Sequence, residues 1–211
     1  MKILFYGDSI TDMNRFRDHE DGSVYSYGVG YPNFVVGELN YQDPTAHEFI
    51  NRGISGNRIV DLYARVKSDV WNHKPDVLSI LIGVNDVWHE ISYGNGVELD
   101  RWERMYRTML QETKERLPNI KLIILEPFIL EGSATDGEER WEKFQAVKEY
   151  AKVAKKLAEE FGAQFVPLQD KFDEAAEKYG YDKVLADGVH PNSFGAALIA
   201  KEWLSVFKKE V

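Results

Sequence analysis

Short apolar runs alternate along the chain with longer stretches in which apolar residues recur every three or four positions. Ile3 to Tyr6, Glu48 to Asn51, Val77 to Ile82, Ile120 to Leu125 and Gln164 to Leu168 are the runs. The third and fourth are almost unbroken, as expected of strands covered on both faces. Between them Ile59, Leu62, Val66 and Val70 keep helical spacing behind Asn57, a residue suited to an N-cap. Trp102, Tyr106, Met109, Thr113 and Leu117 do the same, and Pro118 ends that helix. Trp141, Phe144, Val147, Ala151, Ala154 and Leu157 predict one amphipathic helix across 138–160, with Gly162 placed to close it. Ala197, Ala200, Leu204 and Phe207 predict a last helix started by Asn192 or Ser193.

Strands alternating with helices imply right-handed crossovers and a parallel sheet. The expectation is an α/β fold of three α/β/α layers, with a five-stranded, mostly parallel, flavodoxin-like sheet in the order 2-1-3-4-5. No repeat or linker divides the sequence, so residues 1–211 are expected to form a single domain. Such sheets bind ligands beyond the carboxyl ends of their strands, where strand order reverses. Functional residues are therefore sought after the first three strands and before the last helix.

Four short sequences fall there. Gly7-Asp8-Ser9-Ile10-Thr11 follows the first strand, Asn51-Arg52-Gly53-Ile54-Ser55-Gly56 the second and Gly83-Val84-Asn85-Asp86 the third. Asp187-Gly188-Val189-His190-Pro191 precedes the final helix. A serine hydroxyl is a poor nucleophile without an adjacent base, and histidine is largely neutral at pH 7 with its ordinary pKa of about 6.5. A carboxylate accepting from the other ring nitrogen holds the imidazole in the required tautomer. Asp187 and His190 are close enough in sequence for one turn to bring them together.

Taken together and in order, these four blocks resemble those of the SGNH (GDSL) hydrolases, and they span residues 7–190. The resemblance implies a serine esterase with Ser9 as nucleophile, His190 as base and Asp187 orienting the histidine. It also implies an oxyanion hole made by the backbone N–H of Ser9, the backbone N–H of Gly53 and the side-chain amide of Asn85. Ile10 departs from the leucine of the GDSL pattern, an apolar exchange that touches nothing catalytic. The stretches Asn51 to Asn57 and Leu81 to Trp88 look like the branch similar to acetylxylan esterases and other carbohydrate O-deacetylases, often described as lysophospholipase-like. The implied substrate is a small acetylated oligosaccharide, with a lysophospholipid or thioester as the alternative. The G-x-S-x-G elbow of α/β-hydrolases is absent around Ser9.

Composition narrows the partners. A net charge of -9 disfavours nucleic acid and anionic membranes. With no cysteine, disulfides, thiolate catalysis and cysteine-bound metals are excluded. No run approaches the roughly 20 apolar residues of a membrane span, and the apolar start is too short for a signal-peptide core. A cytoplasmic protein is expected, and the family resemblance together with an aromatic-rich loop suggests a homo-oligomer.

The remaining candidates have structural alternatives. Asp8 and Asp86 read as acceptors bracing their loops, and Asp8, Trp88 and Tyr27 are the candidates for lining the substrate pocket. Asp12, Arg15 and Glu126 could face substrate or simply pair. Tyr25, Tyr27 and Tyr31 form an aromatic cluster suited to packing, a pocket wall or a subunit contact. His19, His47, His73 and His89 lack metal-ligand spacing, so neither metal nor cofactor is expected. A non-catalytic binding module on the same fold is the rival from another class. Nucleotide binding fares worse, because no Gly-rich phosphate fingerprint follows the first strand.

Overall fold

A computed structural model of the protein describes residues 1–17 and 22–207, so His19 lies outside the described residues. Five strands, β1 (Lys2–Gly7), β2 (Glu48–Gly53), β3 (Val77–Leu81), β4 (Lys121–Leu125) and β5 (Gln164–Val166), form one sheet in the order β2-β1-β3-β4-β5. Every pairing is parallel. Order and direction are those read from the sequence. The second strand runs on to Gly53 and the fifth stops at Val166.

Between and after the strands lie α1 (Ser9–Asp12), α2 (Tyr31–Gln42), α3 (Ile59–Asp69), α4 (Val84–Tyr93), α5 (Leu99–Arg116), α6 (Glu138–Phe144), α7 (Val147–Phe161), α8 (Gln169–Tyr179) and α9 (Ser193–Phe207). Helices α2 and α9 pack together, and α5 packs against both α3 and α7. The strand period of two divides the core between the two faces. Phe5 meets Tyr31 of α2 and Trp203 of α9 at ring separations of 5.8 and 5.7 Å, while the next residue, Tyr6, donates to the Leu62 carbonyl of α3 at 2.6 Å. Trp203 is fully buried, stacks on Phe207 and donates its indole N–H to Ser79 Oγ at 2.9 Å.

Several local expectations are corrected. Asn57 does not cap α3. The helix is preceded by Arg58, whose backbone N–H donates to Asp61, and its first N–H, that of Ile59, donates to Asp86 of α4. Asn57 instead accepts from Arg65 Nε at 2.7 Å. The stripe over 138–160 is two helices, because tighter bonds such as Ala146 N–H to Lys143 O interrupt the helical ladder near Gln145. The break lets α6 turn onto α4 while α7 covers β4 and β5. In α9 the register shifts: Ala197 is exposed, and Gly195, Ala196, Ile199, Trp203 and Val206 join the buried face. Asn192 does start that helix, accepting from the N–H groups of Phe194 and Gly195. Helices α2, α4 and α8 were not picked out by the pattern.

Among the described residues no helix is long and apolar enough to cross a membrane. Replacing Trp203 by alanine removes the largest side chain joining α9 to the sheet and takes the indole donor from Ser79 Oγ. The expected loss is about 3–5 kcal/mol of folding stability, read as a lowered urea midpoint.

Candidate active site

The carboxyl edge of the sheet is built around the turn leaving β1. Gly7 is obligatory there, since a Cβ would come within 2.4 Å of Leu81 O and 2.5 Å of Thr11 Oγ1. Asp8 is fully buried and caps α1, its carboxylate accepting from Ile10 N–H at 3.0 Å and its carbonyl from the N–H groups of Thr11 and Asp12. Ser9 therefore opens the helical turn with its hydroxyl at the sheet edge.

His190 meets it from the far end of the chain. Ser9 Oγ lies 2.9 Å from His190 Nε2, and His190 Nδ1 lies 2.7 Å from Asp187 Oδ2. The other Asp187 oxygen accepts from the backbone N–H groups of Val189 and His190 at 2.9 and 2.8 Å. A left-handed Gly188 (φ 95°) bends the loop, and a bridge between Leu185 and Pro191 closes it. Leu130 N–H donates to Gly188 O and Ala134 N–H to Asp187 O, so the segment after β4 holds the loop from behind. The Trp88 ring stands 5.9 Å from the His190 ring.

Burial opposes the negative charge of Asp187, but the His190 ring and the two backbone N–H groups outweigh it and hold the carboxyl down at about 2. The bond to Asp187 raises the His190 pKa against its burial, and the charges of Asp187 and Asp8 add to the rise. Burial pushes Asp8 up to about 7 and Asp86 well above the ordinary carboxylate range.

The expected oxyanion donors divide. Among the described residues the N–H of Ser9 has no acceptor, and Asn85 Nδ2 spends one hydrogen on Asn57 O at 3.1 Å, leaving the other. Gly53 does not fit the role. Its N–H already donates to Asn51 Oδ1 at 2.9 Å and its carbonyl accepts from Arg15 Nε at 2.9 Å. A Cβ there would lie 2.3 Å from Asp12 N, so this glycine serves the packing of α1 against β2 rather than a substrate. Three residues on, Gly56 takes a left-handed φ of 82°, is partly exposed, and its N–H has no acceptor among the described residues. It adjoins Asn57, the residue Asn85 touches. Gly56 is the second Gly of the same motif, and sequence alone does not separate its role from that of Gly53.

Of the candidate lining residues, Trp88 is half-buried beside His190, but Asp8 and Tyr27 are buried. Tyr27 packs edge-on against Phe49 at 6.3 Å and offers its carbonyl to Asn51, so it belongs to the core. Tyr31 is buried as well, and exposed Tyr25 stacks on Phe16. Asp12 and Arg15 are buried: Asp12 accepts from Ser55 N–H, Ser55 Oγ and Arg17. Glu126 accepts from the N–H groups of Leu168 and Gln169 and so caps α8. Asn51 went unnoticed as an organiser, yet its buried amide donates to Thr11 O and Tyr27 O while its oxygen takes Gly53 N–H.

A hydroxyl, an imidazole and a carboxylate bonded in sequence at the edge of a parallel α/β sheet are the working parts of a serine hydrolase. The profile of the GDSL-like lipase/acylhydrolase family matches residues 5–198, and the chain belongs to that family. It is a carboxylic ester hydrolase. The chain is 39% identical over 209 residues to an acetylxylan esterase from Geobacillus stearothermophilus, covering 96% of this chain and 92% of that one. A solved GDSL-like lipase from Parabacteroides merdae is 38% identical with a TM-score of 0.92, covering 98% of this chain and 95% of that chain. A catalytic mutant of the Geobacillus esterase, with an aspartate replaced by alanine, superposes with a TM-score of 0.86 at 36% identity over 97% of this chain and 92% of that one. Serine-to-alanine and histidine-to-alanine catalytic mutants of the same esterase superpose similarly, with TM-scores of 0.84 and 0.85.

Gly53→Ala is expected to destabilise the protein by about 1–3 kcal/mol, because the added methyl meets backbone rather than a yielding side chain. A lowered denaturation midpoint with ordinary turnover of the folded fraction would bear this out. A large fall in kcat at unchanged stability would return Gly53 to the oxyanion hole.

Proposed function

We propose that this enzyme removes acetyl groups from O-acetylated xylo-oligosaccharides or related sugars through an acyl-enzyme. The unbroken hydrogen-bond path from Ser9 through His190 to Asp187 is the observation that carries the chemistry. Similarity to an acetylxylan esterase along nearly the full length of both chains supports the substrate class.

His190 takes the Ser9 proton as Oγ attacks the ester carbonyl carbon. The carbonyl oxygen becomes an oxyanion that accepts from Ser9 N–H, the Asn85 amide and, in place of Gly53, the N–H of Gly56. The tetrahedral adduct collapses with cleavage of the C–O bond, and the departing sugar oxygen takes the proton from His190. Water, deprotonated by His190, then attacks the acetyl-serine, and acetate leaves as Ser9 recovers its proton. Asp187 keeps the imidazole in the tautomer with its free lone pair toward Ser9 and stabilises the imidazolium. The proposed setting is the cytoplasm. A homo-oligomer is supported by exposed Phe16, Val24, Tyr25 and Val29, which crowd one stretch of chain.

Ser9→Ala is expected to abolish acetate release from acetylated xylobiose while leaving circular dichroism unchanged; full activity would sink the assignment. Among p-nitrophenyl esters, turnover should fall as the acyl chain lengthens, and a preference for long chains would point to a lipid substrate instead. Asn85→Ala should lower kcat by about a hundred- to thousandfold.

The pH profile follows from the raised His190 pKa. The base must be neutral, so kcat/KM falls as pH drops through a midpoint above the ordinary imidazole value of about 6.5. Asp187→Asn removes the principal group raising that pKa, so besides slowing the reaction it should move the midpoint down.

A further inference from the structure

A groove of about 660 Å³ lies beside the Asp187 loop, within the range of about 300–1,000 Å³ usual for ligand pockets. Glu131, Thr135, Asp136, Glu138, Trp141 and Tyr181 contribute to its lining. Three of its walls are tied to the catalytic machinery. Gly132 packs so closely that a Cβ would lie 2.4 Å from the backbone of Asp187 and Gly188. Tyr181 begins the short turn Tyr181–Lys183 that leads into the loop closed by Leu185 and Pro191. Trp141 stands one helical turn from Phe144, whose ring meets Trp88 at 5.8 Å, and Trp88 in turn lies against His190.

The lining has a chemistry of its own. Two aromatic side chains, one half-buried and one 48% exposed, offer flat apolar faces. Three exposed carboxylates surround them, able only to accept hydrogen bonds when ionised. No lysine or arginine lines the groove among the described residues. A pyranose ring matches this: its C–H faces cover aromatic rings, and its hydroxyls donate to carboxylates. An anionic group would meet three carboxylates, against which flanking Arg140, bonded to Ala134 O, sets a single cation, and the balance turns the same surface against it.

We propose that this groove is a subsite for the sugar units flanking the acetylated one, taking neutral pyranose residues and rejecting those that carry acidic groups. The proposal rests on the acetylated-sugar reading above. Trp141 and Tyr181 then decide how chain length affects rate, while Ser9 and His190 decide whether the ester is cut.

The test compares kcat/KM for p-nitrophenyl acetate and for acetylated xylose, xylobiose and xylotriose in the wild type, Trp141→Ala and Tyr181→Ala. Tyr181 is exposed, so the second variant guards against misfolding in the first. The wild type should gain rate with sugar length. Each variant should lose about three- to tenfold on the trisaccharide, the worth of one aromatic contact, while p-nitrophenyl acetate stays within about twofold. Equal losses on both substrates, or no length dependence in the wild type, would overturn the subsite. If p-nitrophenyl acetate is cut but no acetylated sugar of any length is, the substrate reading itself fails and the subsite with it.

Discussion

Gly7, Gly53 and Leu81 stand side by side in the register of β1, β2 and β3, and the backbone around the two glycines is too tight for any side chain. That crowding is the constraint on which the rest depends. It lets the turn after β1 fold back at once into α1, so that Ser9 emerges at the sheet edge instead of further along a loop. The same carbonyl ends are clamped from α3, where Arg65 donates to Gly7 O at 3.1 Å and to Arg52 O at 2.8 Å. Level strand ends, rather than any one loop, bring the serine, the amide of Asn85 and the turn around Gly56 into one place.

Buried and half-buried carboxylates do the bracing around this edge. Asp8 caps its own turn, Asp12 gathers Ser55 and Arg17, Asp86 accepts from the first N–H of α3, and Glu126 accepts from two N–H groups entering α8. The starts of α1, α3 and α8 thus lean on an acid, two of them supplied by distant segments, which satisfies backbone donors that local sequence leaves open. The cost appears in the raised pKa values of Asp8 and Asp86, whose charge is disfavoured by burial. Asp187 differs because three hydrogen bonds converge on it, and it stays ionised beside an imidazole that must gain and lose a proton.

The surroundings of the catalytic pair are unequal. Behind Asp187 the segment after β4 is packed without slack, while in front both side chains stay partly open, His190 to 32% beside Trp88 and Asp187 to 27%. Rigidity is thereby concentrated where orientation of the base matters, and openness where an ester must enter.

What the sequence by itself determined follows local and periodic rules. Parallel strands buried on both faces must be nearly continuous apolar runs, so Val77–Leu81 and Lys121–Leu125 were legible, and with them the sheet and the edge where chemistry belongs. Asp187 and His190 were legible because one turn can join residues so near in sequence, and Ser9 because its motif follows a strand. Tertiary structure decided the rest, because those outcomes depend on partners far along the chain. Asn57 has the chemistry of a cap, yet Asp86 caps α3 from another element. Gly53 and Gly56 look alike in a motif, and only the long-range contacts of Asn51, Arg15 and Asp12 turn the first inward. Tyr27 was a candidate for the substrate pocket, but Phe49 and Asn51 hold it in the core away from Ser9. Helix α2 lacks a stripe strong enough to stand out, while α4 and α8 bury polar or small residues, Asn85, Asp86, Gln169, Ala175 and Ala176, that large apolar spacing passes over; a single helix cannot announce a surface that exists only after the sheet has formed.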